Sequence, residues 1–420
     1  NNYNWDSLKA FNDKNVAKYE KKEYRSTFTP LFIVPLLRFD NYTKDGNFLD
    51  AIKPGLYFFS SETMGRYSIF GGAAINRNGE RDLFAQFEYT NGMPVFDKFF
   101  TRKLGFDPKF TFAGYNVSRS STGQLLAGAD TLNVPITYDL LSFDAGMKWK
   151  MINVNHDFRF LYTFSKYAYK LDAFGLASGV SVRSSSENYF LASNFSFGYN
   201  YNYEVPGKNS DINPIGRKID IQYDYESSRL NPDIIVNDDG TTTTLYENRR
   251  LHKLQAELSQ SVSLFGTHSL GLKLKGATIF GPQVEDFYNF YASGLPGMKG
   301  YPFYAIGGGR MATANLTYRI PVLTKIDTRI SPFYLDKLYF SIYGDFGNAW
   351  DEKDTKLSDF KKDIGGELRL QAFSWYVFPT SVFLNAAYGL DQFTKRFQGE
   401  DVTYGKEWRV YFGMLFGFDF

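Results

Sequence analysis

Apolar and polar residues alternate with a period of two along most of the chain. In Arg217 to Ser227, Ile219, Ile221, Tyr223 and Tyr225 fall on one face, and Lys218, Asp220, Gln222, Asp224 and Glu226 fall on the other. Leu83, Ala85, Phe87 and Tyr89 stand against Asp82, Phe84, Gln86 and Glu88. Leu254, Ala256 and Leu258 stand against Lys253, Gln255 and Glu257, and Ile364, Gly366, Leu368 and Leu370 against Gly365, Glu367, Arg369 and Gln371. Helical spacing does not sort charges this way, so the pattern predicts β-strands with one oily and one charged face.

A soluble antiparallel sandwich alternates too, with apolar faces meeting in a dry core. The connections favour a transmembrane barrel, in which brief turns alternate with longer loops. Thr63 to Arg66, Met151 to His156, Phe265 to Thr267 and Tyr376 to Thr380 read as short turns. Asp40 to Ala51, Ser118 to Pro135, Lys170 to Ser186, Ser227 to Arg249, Gly281 to Ile306, Trp350 to Lys362 and Asp391 to Tyr404 read as long loops. The stretch after Asn91 breaks the pattern. About sixteen alternating segments share the chain, about 26 residues per strand and connection, which is ample for a tilted span of ~10 residues. The expected fold is therefore all-β: an antiparallel transmembrane β-barrel of about sixteen strands, over residues 25–420. Asn1 to Tyr24 is polar, rich in Lys and Glu and without alternation, and reads as a linker or short helix leading from a periplasmic region.

Composition supports this picture. Of 420 residues, 42 are Phe, 31 Tyr and 5 Trp, more than a soluble core ordinarily holds, and interfacial girdles give such rings a place. The longest apolar run, near Leu31 to Leu37, is broken by Pro35 and is far shorter than the roughly 20 residues of a membrane helix. Forty-seven basic against 45 acidic residues leave a net charge of +2, which does not suggest a nucleic-acid partner. Without cysteine, disulfides, cysteine zinc sites and thiol catalysis are excluded.

The first strand, Ser26 to Asp40, contains Pro30 and Pro35, neither of which can donate to a ladder. The last segment, Glu407 to Phe420, places Trp408, Val410, Phe412, Met414, Phe416, Phe418 and Phe420 outward, with Arg409, Tyr411, Gly413 and Asp419 inward. The junction of these two segments is the expected weak seam of the barrel. It joins chain ends without a hairpin, and its candidate residues are Pro30, Pro35, Gly413, Phe416, Phe418 and Phe420.

From Gly294 a long loop reads Gly-Leu-Pro-Gly-Met-Lys-Gly-Tyr to Tyr301. Gly307-Gly308-Gly309, a strand ending Tyr318-Arg319-Ile320-Pro321, the run Tyr343 to Trp350 and Gly365-Gly-Glu-Leu-Arg369 follow. In order and spacing, Gly281 to Phe420 resembles the BamA superfamily of outer-membrane assembly factors and two-partner secretion transporters. The family carries a Val-Arg-Gly-Phe/Tyr motif on an inward-folded loop, and Met298-Lys299-Gly300-Tyr301 stands in its place. Ser61 to Arg66 and Glu80 to Phe84 more loosely resemble members with a propeller-type periplasmic domain. The resemblance implies a lumenal lock in which the motif cation meets acids on the following strands. Parity turns Asp345, Glu367 and Arg369 inward, as it does Tyr339, Ser341 and Tyr343. The bland alternative is that each of them only lines a wet pore. Lys299 replaces the family arginine, and a point charge without the planar fork is expected to hold the tip less rigidly.

No catalytic set assembles. His156-Asp157 falls in a short turn without a partnered serine, Asn237 to Gly240 lacks calcium-loop spacing, and no glycine loop precedes a helix. The expectation is a non-enzyme that needs no nucleotide or metal, and the resemblance implies a protein of the Gram-negative outer membrane that inserts or translocates polypeptides through a laterally opening seam. Its partners would be outer-membrane lipids, unfolded outer-membrane or secreted polypeptide clients, and periplasmic or lipoprotein accessory subunits. A passive pore, or a barrel anchoring a periplasmic domain, is the alternative.

Overall fold

The computed structural model describes residues 25, 27–39, 49–90, 107–127, 130–175, 181–206, 215–231, 235–237, 241–351, 355–375, 378–397 and 400–416. Residues 1–24, Phe418 and Phe420 lie outside them. Among the described residues, sixteen main strands follow one another as antiparallel hairpins. The first four are β1 (Phe32–Phe39), β2 (Ile52–Ser61), β3 (Tyr67–Ile75) and β4 (Arg81–Tyr89). The next four are longer: β5 (Lys109–Ala127), β6 (Asp130–Lys150), β7 (His156–Leu171) and β8 (Ser185–Val205). Then come β9 (Ile215–Leu230), β10 (Glu247–Ser263), β11 (Ser269–Phe280) and β12 (Arg310–Leu323). The last are β13 (Phe333–Trp350), β14 (Lys361–Ser374), β15 (Phe378–Gly389) and β16 (Trp408–Phe416). A three-residue strand, Thr328–Ile330, extends the sheet beside β13. This is a transmembrane antiparallel β-barrel fold.

Register follows the alternation. Leu258 pairs with Ile219 and Leu274, while its neighbour Ser259 pairs with Lys218 and Lys273. The apolar rows are exposed, as at Ile221, Leu274 and Leu368, whereas Asp224, Glu226 and Glu367 are buried. Bare apolar rows outside and buried carboxylates inside are what a lipid-facing wall around a polar lumen requires.

Two expectations change. The Ser118 to Pro135 loop is strand: β5 and β6 stay in register from Lys109 opposite Lys148 as far as Ala127 opposite Asp130. Ser120 and Thr122 share the face of lipid-facing Phe112. Beyond the oily band this face meets water, so alternation persists without apolar outward residues. The first strand is also shorter than Ser26 to Asp40. Pro30 stands outside β1, and the stretch before it is tied to β2 separately, through the Phe28 to Glu62 bridge and the Thr29 N–H donating to the Ser61 carbonyl at 2.8 Å. Only Pro35 lies within β1, opposite Leu56.

The even-to-odd hairpins turn at one end of the barrel, the short-turn end, and the odd-to-even hairpins at the long-loop end. Near the latter the inward face becomes apolar. Val134, Ile136, Tyr169 and Leu171 form one buried cluster, and Phe190, Leu230, Leu251, Ile279 and Tyr288 form another. The Ile235–Val236 segment between β9 and β10 lies against β5. Among the described residues, apolar side chains therefore pack inside the long-loop mouth.

β1 is held on the side facing β2. Lys53 on β2 is 0% exposed, 3.7 Å from Glu80 and 3.8 Å from Asp82. Arg119 on β5 also pairs with Asp82, at 2.6 Å, and Arg38 on β1 at 3.2 Å. On its other edge, no ladder joins β1 to β16 among the described residues. A cavity of about 870 Å³ lies there, lined by Val34, Pro35 and Leu37 of β1 and by Phe412, Gly413 and Met414 of β16.

Candidate functional site

The chain between β11 and β12 folds inward because its apolar residues have a wall to pack on. Ala292, Met298, Tyr301, Ala305 and Ile306 are buried with Ala277, Met311 and Ala349 of the strands, and Phe393 and Tyr404 close over them. The loop also fastens itself. Met298 N–H donates to the Ala292 carbonyl at 2.8 Å, Ala292 N–H to Ile306 at 2.9 Å, and Gly294 N–H reaches Tyr301 at 3.1 Å. A segment whose backbone bonds are closed internally presents its tip as a unit.

That tip is Lys299-Gly300-Tyr301. Gly300 N–H donates to Asp363 Oδ2 on β14 at 2.7 Å. A Cβ on Gly300 would stand 2.6 Å from that of Asp363 and 2.7 Å from the Gly389 nitrogen, so only glycine lets the backbone come this close. Tyr301, 0% exposed, donates its hydroxyl to the Lys362 carbonyl at 2.8 Å and accepts the Asp391 N–H at 3.1 Å. Burial pushes this hydroxyl up to about 12. Tyr411 on β16 donates to the Lys299 carbonyl at 2.9 Å. The tip thus touches β14, the start of the loop after β15, and the last strand.

The Lys299 ammonium lies 3.9 Å from Asp345 Oδ2 and 4.3 Å from the centre of the Tyr343 ring. Asp345 Oδ1 takes the Asn315 amide, while Oδ2 has no hydrogen bond. Asp345 sits opposite Asp363 in the ladder, so two buried carboxylates face one cation. The pocket beside them, about 160 Å³, is also lined by Lys273, Lys275 and Asn315.

Glu367 does not meet Lys299. It is held by Arg369, whose Nε donates at 2.7 Å, and by the Asn385 amide at 3.1 Å. The connection is indirect: Tyr343, under the ammonium, donates its hydroxyl to Asn385 Oδ1 at 2.7 Å. Sequence reading does not pick out Asp363 or Asn385, and it places Tyr411 inward on the last strand without tying it to the loop tip. Inward parity at Gly365 and Glu367 extends two residues back to Asp363, and that signal was available.

Among the seam candidates, Pro35 and Gly413 line the cavity on opposite edges. Gly413 lies under the Phe383 ring of β15, where a Cβ would meet ring atoms at 2.7 Å. Phe416 ends the described part of β16.

No family model matches the chain, and no curated protein matches it in sequence. Its fold has solved counterparts. BamA from Haemophilus ducreyi lacking POTRA domains 1-3 matches with a TM-score of 0.50 at 13% identity, over 93% of this chain and 71% of that one. CdiB from Escherichia coli matches with a TM-score of 0.51 at 10% identity, over 93% of this chain and 62% of that one. The chain therefore spans less than two thirds of CdiB. At these identities the likeness is one of architecture, and the chain has the transmembrane β-barrel fold of BamA and CdiB.

Proposed function

We propose that this barrel inserts or exports polypeptides at a Gram-negative outer membrane by opening between β1 and β16, with the tip of the loop between β11 and β12 as its latch. The carrying observation is the seam. Two strand edges face each other across an apolar cavity with no ladder between them among the described residues, and each holds backbone groups that another strand can pair with. In a bilayer such groups are costly to leave bare, which favours capture of an incoming strand. The latch residues are Lys299, Gly300 and Tyr301 with Asp345 and Asp363, while Glu367 and Arg369 brace the wall next to them. Clients are unfolded outer-membrane or secreted chains, and accessory subunits would dock at the short-turn end. This chemistry uses backbone pairing and lipid, and asks for no catalytic set.

The test uses the absence of native cysteine. Leu37→Cys on β1 and Phe412→Cys on β16, joined by a reducible bis-maleimide, are expected to abolish client insertion, and reductant to restore it. A joined barrel that works as well as the open one would sink lateral opening. The passive-pore reading then moves ahead, although the apolar packing of the long-loop mouth speaks against it. Steady single-channel conductance without client would support that pore.

A further inference from the structure

The short turns carry large apolar side chains where water-facing turns usually carry polar ones. Met64 is exposed between β2 and β3, Ile152 (78% exposed) between β6 and β7, Phe265 (84%) between β10 and β11, and Trp375, half-exposed and bordering the seam cavity, between β14 and β15. Each turn also has a residue in the left-handed backbone region. Gly65 and Gly266 fill that position beside Met64 and Phe265, at φ 68° and 61°. In the other two turns the apolar residue itself does so, Ile152 at φ 72° and Trp375 at φ 53°. A β-branched residue is disfavoured there, and glycine or asparagine would sit more easily. A side chain kept against its backbone preference points to a role for that side chain.

We propose that this rim is a membrane anchor, with Met64, Ile152, Phe265 and Trp375 sunk as apolar tips into the leaflet at the short-turn end. Their spacing identifies the partner. The four turns recur every fourth strand, after β2, β6, β10 and β14, about 19 Å apart across the strands at about 4.8 Å each. One docked protein covers an arc, whereas a ring of quarter positions meets something that surrounds the barrel. The tips also continue the lipid-facing surface: on β6 the outward column Phe143, Ala145, Met147 and Trp149 runs into Met151 beside Ile152 without a polar break. Apolar side chains beyond the aromatic rows would hold the depth of the barrel in the bilayer.

Tryptophan fluorescence reads that depth. The full chain, with Trp5, Trp149, Trp350 and Trp408 replaced by Phe, keeps Trp375 as its one reporter. A second form adds Trp375→Phe and Phe265→Trp, so that either can report if the other folds poorly. In phosphatidylcholine vesicles brominated at acyl carbons 6 and 7, emission is expected to fall at least twofold relative to unbrominated vesicles, and aqueous iodide to quench little. Emission untouched by bromolipid and open to iodide would overturn the anchor and assign the rim to water or to a protein partner.

Discussion

At Lys299 the difference between a point charge and a planar fork is measurable. The ammonium stops 3.9 Å from Asp345 Oδ2, an oxygen without a hydrogen bond, and Asp363 lies opposite. Lys299→Ala leaves the facing acids Asp345 and Asp363 without their cation. Removing a buried partner costs about 3–5 kcal/mol, and the partial exposure of Lys299, with lumen water, lowers this to about 2 kcal/mol of loop stability. Lys299→Arg is expected to do the opposite, since a longer forked group can reach both acids. Limited proteolysis of the loop should rank the forms Ala, Lys, Arg from fastest to slowest cleavage, and an arginine form cut faster than wild type would contradict the assignment. The cation is not the only fastening of the tip, since Gly300 N–H and the Tyr301 hydroxyl hold it independently. Tyr301 gives the pH dependence. Its hydroxyl is pushed up to about 12 in the folded loop, against about 10 for a free tyrosine. The folded loop therefore retains the extra proton between these values. Its stabilisation is complete below pH about 10 and is lost as pH rises through about 12. Cleavage of the wild-type loop should stay flat to pH 9 and climb above 10, by more than in Tyr301→Phe.

Among the elements, β10 shows how strictly the period of two assigns faces. Leu258 meets Ile219 and Leu274 on the oily side, and Ser259 meets Lys218 and Lys273 on the lumenal side. Leu258→Arg is expected to cost about 2–4 kcal/mol if it lies near the midplane. Ser259→Glu, one residue on, should change stability by less than about 1 kcal/mol, since it joins two lysines in a wet lumen. Urea titrations of refolding into vesicles measure both, and equal losses would mean that the faces are wrongly assigned. The same alternation made most strands and the inward turn of Asp345 and Glu367 legible in sequence, because each spanning residue must choose lipid or lumen. It failed where that choice lapses. The water-facing ends of β5 and β6 carry Ser and Thr outward and read as loop, although their ladder continues to Ala127. Nor does parity alone say which inward acid a folded loop will reach. Glu367 lies on the correct face, yet Arg369 and Asn385 already occupy it, and the tip meets Asp363 instead.

Across the whole molecule, local stability should fall from the back of the barrel towards the seam. Among the described residues, β6 and β8 each have 21 residues and two bonded neighbours, whereas β1 has 8 residues, β16 has 9, and each has one. Fewer bonds and a bare edge lower the free energy of local opening. The two seam strands are not equivalent, however. β1 is pinned through Arg38, Asp82, Arg119 and the buried Lys53 to β2, β4 and β5. β16 has its ladder to β15 and the Tyr411 hydroxyl bond to the loop tip. The last strand should therefore be the part that moves, and the loop should govern how far. Amide hydrogen exchange on the vesicle-inserted barrel is expected to be slowest in β6 to β8, faster in β1 and fastest in β16. Tyr411→Phe removes the bond to Lys299 while keeping the ring, and should speed exchange in β16 several-fold without changing β8. If β16 and β8 speed up together, the substitution has loosened the whole barrel. If neither changes, the loop tip does not restrain the last strand, and latch and seam are separate devices.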